Sequence, residues 1–248
     1  MAGHSKFKNI MHRKGAQDSK RAKIFAKFAR EITVAARNGG DPDMNPRLRG
    51  AIAAGRAMNM PNDRINKAIQ KAVGGGDDAN YEEVRYEGYG PSGIAVIVDT
   101  LTDNRNRTAS EVRTALTKHG GNLGETGSVS FMFEQVGLIV YVKDVASDDD
   151  MFEAALEAGA SDVDSTGENH EINCAVEDFS MVRDALEAKF ETAIEARLDW
   201  KPQTLTPVEE STAGTFLKLM DVLEDNDDVQ RVSSNVDIPE EILERLGN

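Results

Sequence analysis

The chain has 248 residues, with 29 Lys+Arg against 43 Asp+Glu and a formal net charge of −14. That length allows one large domain or two to three small ones, and 40% apolar with 29% charged residues is ordinary globular usage, which excludes disordered and fibrous folds. The longest apolar runs, such as Ile94–Val98 and Leu138–Val142, fall far short of the roughly 20 residues of a membrane span. The start carries no apolar leader segment, and the single Cys174 allows no internal disulfide, so the expectation is a soluble, cytoplasmic protein with no membrane partner. Four histidines and one cysteine offer no familiar metal spacing, and no cofactor is expected.

The net charge hides an uneven distribution. Residues 1–73 carry 16 Lys+Arg and 5 Asp+Glu, a local +11, whereas the remainder carries 13 basic and 38 acidic residues, a local −25. Screening acts over about 8 Å at physiological ionic strength, so a basic module attracts a polyanion even when the whole molecule is acidic.

Residues 1–17 read as a basic, polar, flexible arm. From Asp18 to Asn38, Ile24, Phe28, Ile32 and Ala35 recur at helical spacing, and Gly39-Gly40 ends the run. Asn45-Pro46 supplies a cap and first-turn proline for a second helix ending near Asn59, and Pro61-Asn62-Asp63 opens a third. Gly74–Asp78 reads as a linker with a boundary near residue 76. Tyr81–Tyr89 and Ile94–Leu101 then read as strands joined by the turn Gly90-Pro91-Ser92-Gly93. Thr108 and Glu111 form a capping-box pattern for a helix to about His119, and Gly120–Gly124 breaks the chain before a strand at Ser128–Glu134.

Between 136 and 203 the order is strand, helix, strand, strand, helix, strand: Leu138–Val142, Asp148–Ala158, Asp162–Ser165, Glu171–Val176, Phe179–Lys189 and Ala193–Trp200. That is the split ferredoxin-like pattern. A strand near Gln203–Val208, a helix Thr212–Leu223 and a strand Val229–Val236 supply a second half for residues 94–134. The expected fold class is therefore α+β. A basic helical domain with its arm spans 1–76, a discontinuous α+β domain 77–135 and 204–248, and an inserted ferredoxin-like domain 136–203. The alternative is a serial chain whose short last segment must bury a core alone, which favours insertion.

At 100° per residue, Lys20, Lys23, Lys27, Arg30 and Arg37 lie opposite Ile24, Phe28 and Ile32, and Arg64, Lys67 and Lys71 lie opposite Ile65 and Ile69. Such cations neutralise phosphates with release of counterions. The competing reading is a solvated face laced with ion pairs, against which stand only five acidic residues in the same module. The arm, with His4, Ser5, Lys6, Lys8, His12, Arg13 and Lys14, orders on a phosphate backbone in one reading and is a frayed terminus in the other. Asp103–Thr108 combines amides, guanidinium groups and a helix start, which suits phosphate contact as well as plain helix capping with docked arginines. Neither a recognition helix nor a stacking platform stands out. His119 and His170 have no nucleophile context, and the glycine groups lack the lysine of a phosphate loop, so no enzyme is expected.

Met1–Lys6, His12-Arg13-Lys14, Gln17-Asp18, Lys20-Arg21, Lys23, Asn45–Arg49, Asn59-Met60-Pro61, Tyr86–Pro91, Asp103–Thr108, Gly120–Gly124 and Ala154–Ala160 together resemble the YebC/PmpR family over essentially the full length. Phe7 departs from it where tryptophan is common, as does Ala72 where glycine is. The resemblance implies three domains, one helical and two α+β. It also implies two functional classes, promoter-binding transcriptional regulators and translation factors linked to ribosomes stalled at proline-rich stretches. Carried onto this chain, it implies polyanion contacts from the arm and first helix, Arg21 included, with Asn104, Arg105 and Arg107 as a second contact. DNA and ribosomal RNA both remain open as partner, with the ribosome as the larger assembly in the second case. A monomer is expected, since no dimer seam is evident, and a small-molecule sensor is a minor third reading.

Overall fold

In the computed structural model, residues 17–74 and 80–247 are described, with side chains at 21–74 and 80–246. The arm residues Lys6, Lys8, His12, Arg13 and Lys14, the side chain of Lys20 and the junction at residue 76 lie outside the described residues. Among those described there are eight α-helices and two four-stranded antiparallel sheets, an α+β architecture.

Helix α1, Gln17–Ala36, buries Phe25, Ile32, Ala35 and Ala36 along one stripe. Buried Thr33 donates its hydroxyl to the Ala29 carbonyl at 2.8 Å and lies 3.2 Å from that of Ala68, linking α1 to a later helix. Asn45 joins the end of α1 to the start of α2, Pro46–Ala57. Its carbonyl oxygen caps Leu48 N–H at 3.1 Å, while its amide donates to the Ala35 and Gly39 carbonyls, both at 2.8 Å. One side chain thus closes both helix termini, as the Asn-Pro pair suggests. Helix α2 stops short of Asn59, which takes a left-handed φ of 59°. Helix α3, Asn62–Val73, buries Ile65 and Ala68.

The chain forms two compact units, one of residues 28–74 with 135–200, the other of 17–27, 80–134 and 201–247. In the first unit, β4 (Phe133–Val142, whose first two residues count with the second unit), α5 (Asp148–Ala158), β5 (Asp162–Asp164), β6 (Asn169–Cys174), α6 (Phe179–Phe190) and β7 (Glu195–Pro202, whose last two residues do so too) follow the expected order. The sheet runs β5-β6-β4-β7, which is the ferredoxin-like order. Ile139, Tyr141, Ile172 and Cys174 pack beneath Met151, Ala154, Ala155, Val182 and Leu186 of the two helices. Gly137 has no room for a side chain, since a Cβ there would sit 2.6 Å from Cys174 Sγ and from the Phe179 ring. The Arg49 guanidinium reaches Glu187 at 3.1 Å, joining α2 to α6.

The second unit holds β1 (Glu82–Tyr89), β2 (Ala95–Thr102), α4 (Arg105–Lys118), β3 (Asn122–Leu123), β8 (Thr206–Pro207), α7 (Glu210–Glu224), β9 (Val229–Ser234), β10 (Val236–Asp237) and α8 (Glu240–Gly247). Its sheet order is β3-β1-β2-β9, with Val98 opposite Val232. This is again the ferredoxin-like order, with β1 in the place of the strand that ordinarily precedes the second helix. The strand expected near Gln203–Val208 shrinks to two residues and pairs in parallel with β10 instead. Ile94, Val96, Val98, Val112, Leu116, Phe216, Leu219, Leu223, Val229 and Val232 form the core.

Two further expectations are corrected. The strand at Ser128–Glu134 does not form as such; a 3₁₀ turn at Ser130–Met132 leads into β4, which runs unbroken to Val142. The Glu87 carboxylate accepts from Val129 N–H at 2.9 Å and Ser130 N–H at 2.8 Å, so this backbone has no ladder to join. The third strand of the sheet is the two-residue β3. Here Gly121 lies so close to the Tyr89 carbonyl that a Cβ would collide with it.

Candidate nucleic-acid interface

The cations singled out by periodicity meet different surroundings. On α3, Arg64, Lys67 and Lys71 are exposed, while Ile65 and Ala68 are buried. On α1, Arg21 is exposed and Arg30 is half-buried, whereas Lys23 and Lys27 turn to the C-terminal end of α7. Lys23 pairs with the Asp225 carboxylate at 2.7 Å, and Lys27 donates to the Glu224 carbonyl at 2.5 Å. Burial lowers the Lys27 ammonium to about 8, although Glu224, Asp227 and Asp225 act to raise it. These acidic partners lie about two hundred residues away in sequence, beyond the reach of any local count.

The loop Asp103–Thr108 is built as a helix start. Asn104, not Thr108, is the N-cap of α4, accepting from Arg107 N–H at 3.1 Å. Fully buried Thr108 sits inside the helix and donates to the Asp228 carboxylate at 2.7 Å, joined by the Thr102 hydroxyl at 3.0 Å. Arg107 closes the cluster with ion pairs to Asp228 at 2.5 Å and Asp103 at 2.9 Å, and these hydrogen bonds hold it firmly in the charged form. Asn104 and Arg107 are thus engaged in shaping the loop. The Arg105 side chain keeps 66% exposure, with Glu82 at 3.7 Å.

The cations of α1 up to Lys27 and the loop Asn104–Arg107 belong to the same compact unit, whereas Arg30, Arg64, Lys67 and Lys71 belong to the other. Arg47 and Arg56 of α2 are exposed as well and were not among the predicted contacts. Their signal is only that α2 carries no acidic residue to balance them.

The histidine reading needs one correction, because His170 does have a hydroxyl neighbour, with Ser165 Oγ 2.7 Å from its Nδ1. Its Nε2 faces the carbonyls of Ala146 and Lys143 at 3.1 and 3.2 Å, and the ring is fully buried. The pair ties the β5–β6 turn to the 3₁₀ turn Lys143–Val145. Among the described residues, no group of His, Cys, Asp and Glu is arranged to hold a metal ion, and no helix is long and apolar enough to cross a membrane.

The TACO1/YebC N-terminal domain family matches residues 5–75, and the family of TACO1/YebC second and third domains matches residues 81–236. The chain belongs to the TACO1/YebC family. A Zymomonas mobilis relative described as a probable transcriptional regulatory protein is 57% identical over 248 residues, covering 100% of this chain and 99% of the relative. The crystal structure of a conserved hypothetical protein from Aquifex aeolicus aligns with a TM-score of 0.82 at 45% identity, over 93% of this chain and 96% of that one. In this TACO1/YebC chain several motifs behind the resemblance are architectural. Asn45-Pro46 joins two helices, Gly120–Gly124 lets β3 approach β1, and Asn104–Thr108 starts α4 around Asp228.

Proposed function

We propose that the chain is a non-enzymatic, nucleic-acid-binding regulator of gene expression, a transcriptional regulator that engages DNA through its basic N-terminal helices. The observation that carries this is the exposed cation row Arg64, Lys67 and Lys71 on an amphipathic helix, in a module with 16 basic and 5 acidic residues. The regulatory description of the Zymomonas mobilis relative supports it. In this reading the chain divides into domains 1–76, 77–135 with 204–248, and 136–203. It acts as a monomer in the cytoplasm, needs no cofactor, and makes auxiliary contact through Arg105.

Duplex binding followed by fluorescence anisotropy across a salt series tests it. The triple variant Arg64→Glu/Lys67→Glu/Lys71→Glu should bind more weakly and lower the log–log salt slope by roughly 2 to 3. An unchanged slope removes the basic-face reading.

A ribosome-associated translation factor that binds ribosomal RNA and relieves stalling at proline-rich stretches is the second reading. It is favoured by the acidic remainder of the chain, whose −25 charge suits basic protein neighbours. Sucrose-gradient sedimentation of a DNase-treated lysate separates the two. Salt-sensitive co-migration with ribosomal particles selects translation, while retention at the top with promoter-selective duplex binding selects transcription.

A further inference from the structure

Residues 135–200 hold 17 acidic and 4 basic side chains. All four cations are engaged within that region: Lys143 with Asp148 at 2.6 Å, Arg183 with Asp184 at 2.7 Å, Lys189 over the Phe190 ring at 5.5 Å, and Arg197 with Asp199 at 3.0 Å. Among the large apolar side chains of this region that face solvent, the three most exposed are Phe152 at 54%, Leu156 at 64% and Met181 at 58% exposure. Phe152 and Leu156 stand one turn apart on α5. Met181 of α6 reaches the end of α5, its methyl 3.6 Å from where a Cβ on Gly159 would lie. Asp149 and Glu153, each three residues before one of the α5 apolar side chains, flank the row and are exposed, as is Glu157.

This combination selects its partner. Nucleic acid and anionic lipid surfaces are repelled by the carboxylates, which outnumber the cations of this region 17 to 4. A neutral apolar peptide would leave the acidic rim without charged partners. We propose that this face of α5 and α6 docks a basic amphipathic helix of a partner protein. Apolar side chains at helical spacing on that partner would meet Phe152, Leu156 and Met181, and its lysines or arginines would meet Asp149, Glu153 and Glu157. The inference does not rest on the nucleic-acid reading and survives its failure.

The test uses the full chain and a synthetic peptide of leucines and lysines patterned as an amphipathic helix, with a scrambled peptide of identical composition as control. Calorimetry gives the affinity, and amide chemical shifts give the location. The expected result is binding that shifts α5 and α6 resonances and weakens by about tenfold or more in Phe152→Ser/Leu156→Ser, with unaltered thermal unfolding. Met181→Ser gives an independent check from the second helix, and the scrambled peptide should bind wild type no better than the patterned one binds the double variant. Equal binding of the two peptides, shifts confined to other elements, or indifference to all three substitutions would overturn the proposal. So would self-association of the chain in sedimentation that these substitutions abolish.

Discussion

Glu87 keeps a carboxylate at 2% exposure inside a sheet. Burial alone would raise its titration point, but the backbone N–H groups of Val129, Gly127 and Ser130 outweigh that and hold it below the ordinary carboxylate range. Its stabilising contribution is therefore complete above the unfolded value and is lost as pH falls through the lower folded one. Glu87→Ala should destabilise by roughly 2–4 kcal/mol in urea unfolding, because the backbone donors around it, buried Val129 N–H among them, lose their acceptor. Glu87→Gln should remove the acid-dependent part of the loss. Lys27 works with the opposite sign, its folded value standing near 8 against 10.5 for the free side chain. Between those values the unfolded chain binds a proton that the folded chain has released, so stability rises with pH across that window. Urea midpoints at pH 7.5 and 9.5 should show this rise in the wild type and a smaller one in Lys27→Met.

The start of α4 and the end of α7 each combine architecture with charge. Arg107→Ala should cost about 1–3 kcal/mol by removing a partner of buried Asp228, whereas exposed Arg105→Ala should stay within about 0.5 kcal/mol. For duplex binding the ranking reverses in the informative variant: Arg105→Ala, folded normally, should lower the salt slope by about 1. At α7, Asp225 holds Lys23 although its own side chain is 59% exposed. A polyanion that uses Lys23 must first displace that carboxylate. Asp225→Asn should therefore strengthen duplex binding several-fold at low salt while unfolding as the wild type does, which a double titration of affinity and melting would establish.

Across the whole molecule, helices were legible because their buried stripes are local: Ile32 with Ala35, Ile65 with Ala68, and Val182 with Leu186 are each fixed within one or two turns. The strand-helix order of 136–203 was legible for the same reason. What the sequence could not reveal were partners brought together by folding. Glu87 gave no sign that it would hold the backbone at 129–130, nor Asp228 that it would collect Thr102, Arg107 and Thr108. Nor does the basic face announce its own partners, since the acidic residues meeting Lys23 and Lys27 stand at 224–227.

The pairing of β2 with β9 also orders events in time. Val98 and Val232 are neighbours in the sheet yet more than 130 residues apart along the chain. At about 5–20 residues per second of synthesis, β2 waits on the order of ten seconds for its outer neighbour. During that delay β1 covers only one side of a strand made almost entirely of buried residues. The intervening ferredoxin-like segment, whose first and last strands β4 and β7 lie side by side, can complete its own hydrogen bonding meanwhile. A chain halted before Val229 is therefore left with an open, apolar sheet edge, the state in which a nascent chain most needs a chaperone.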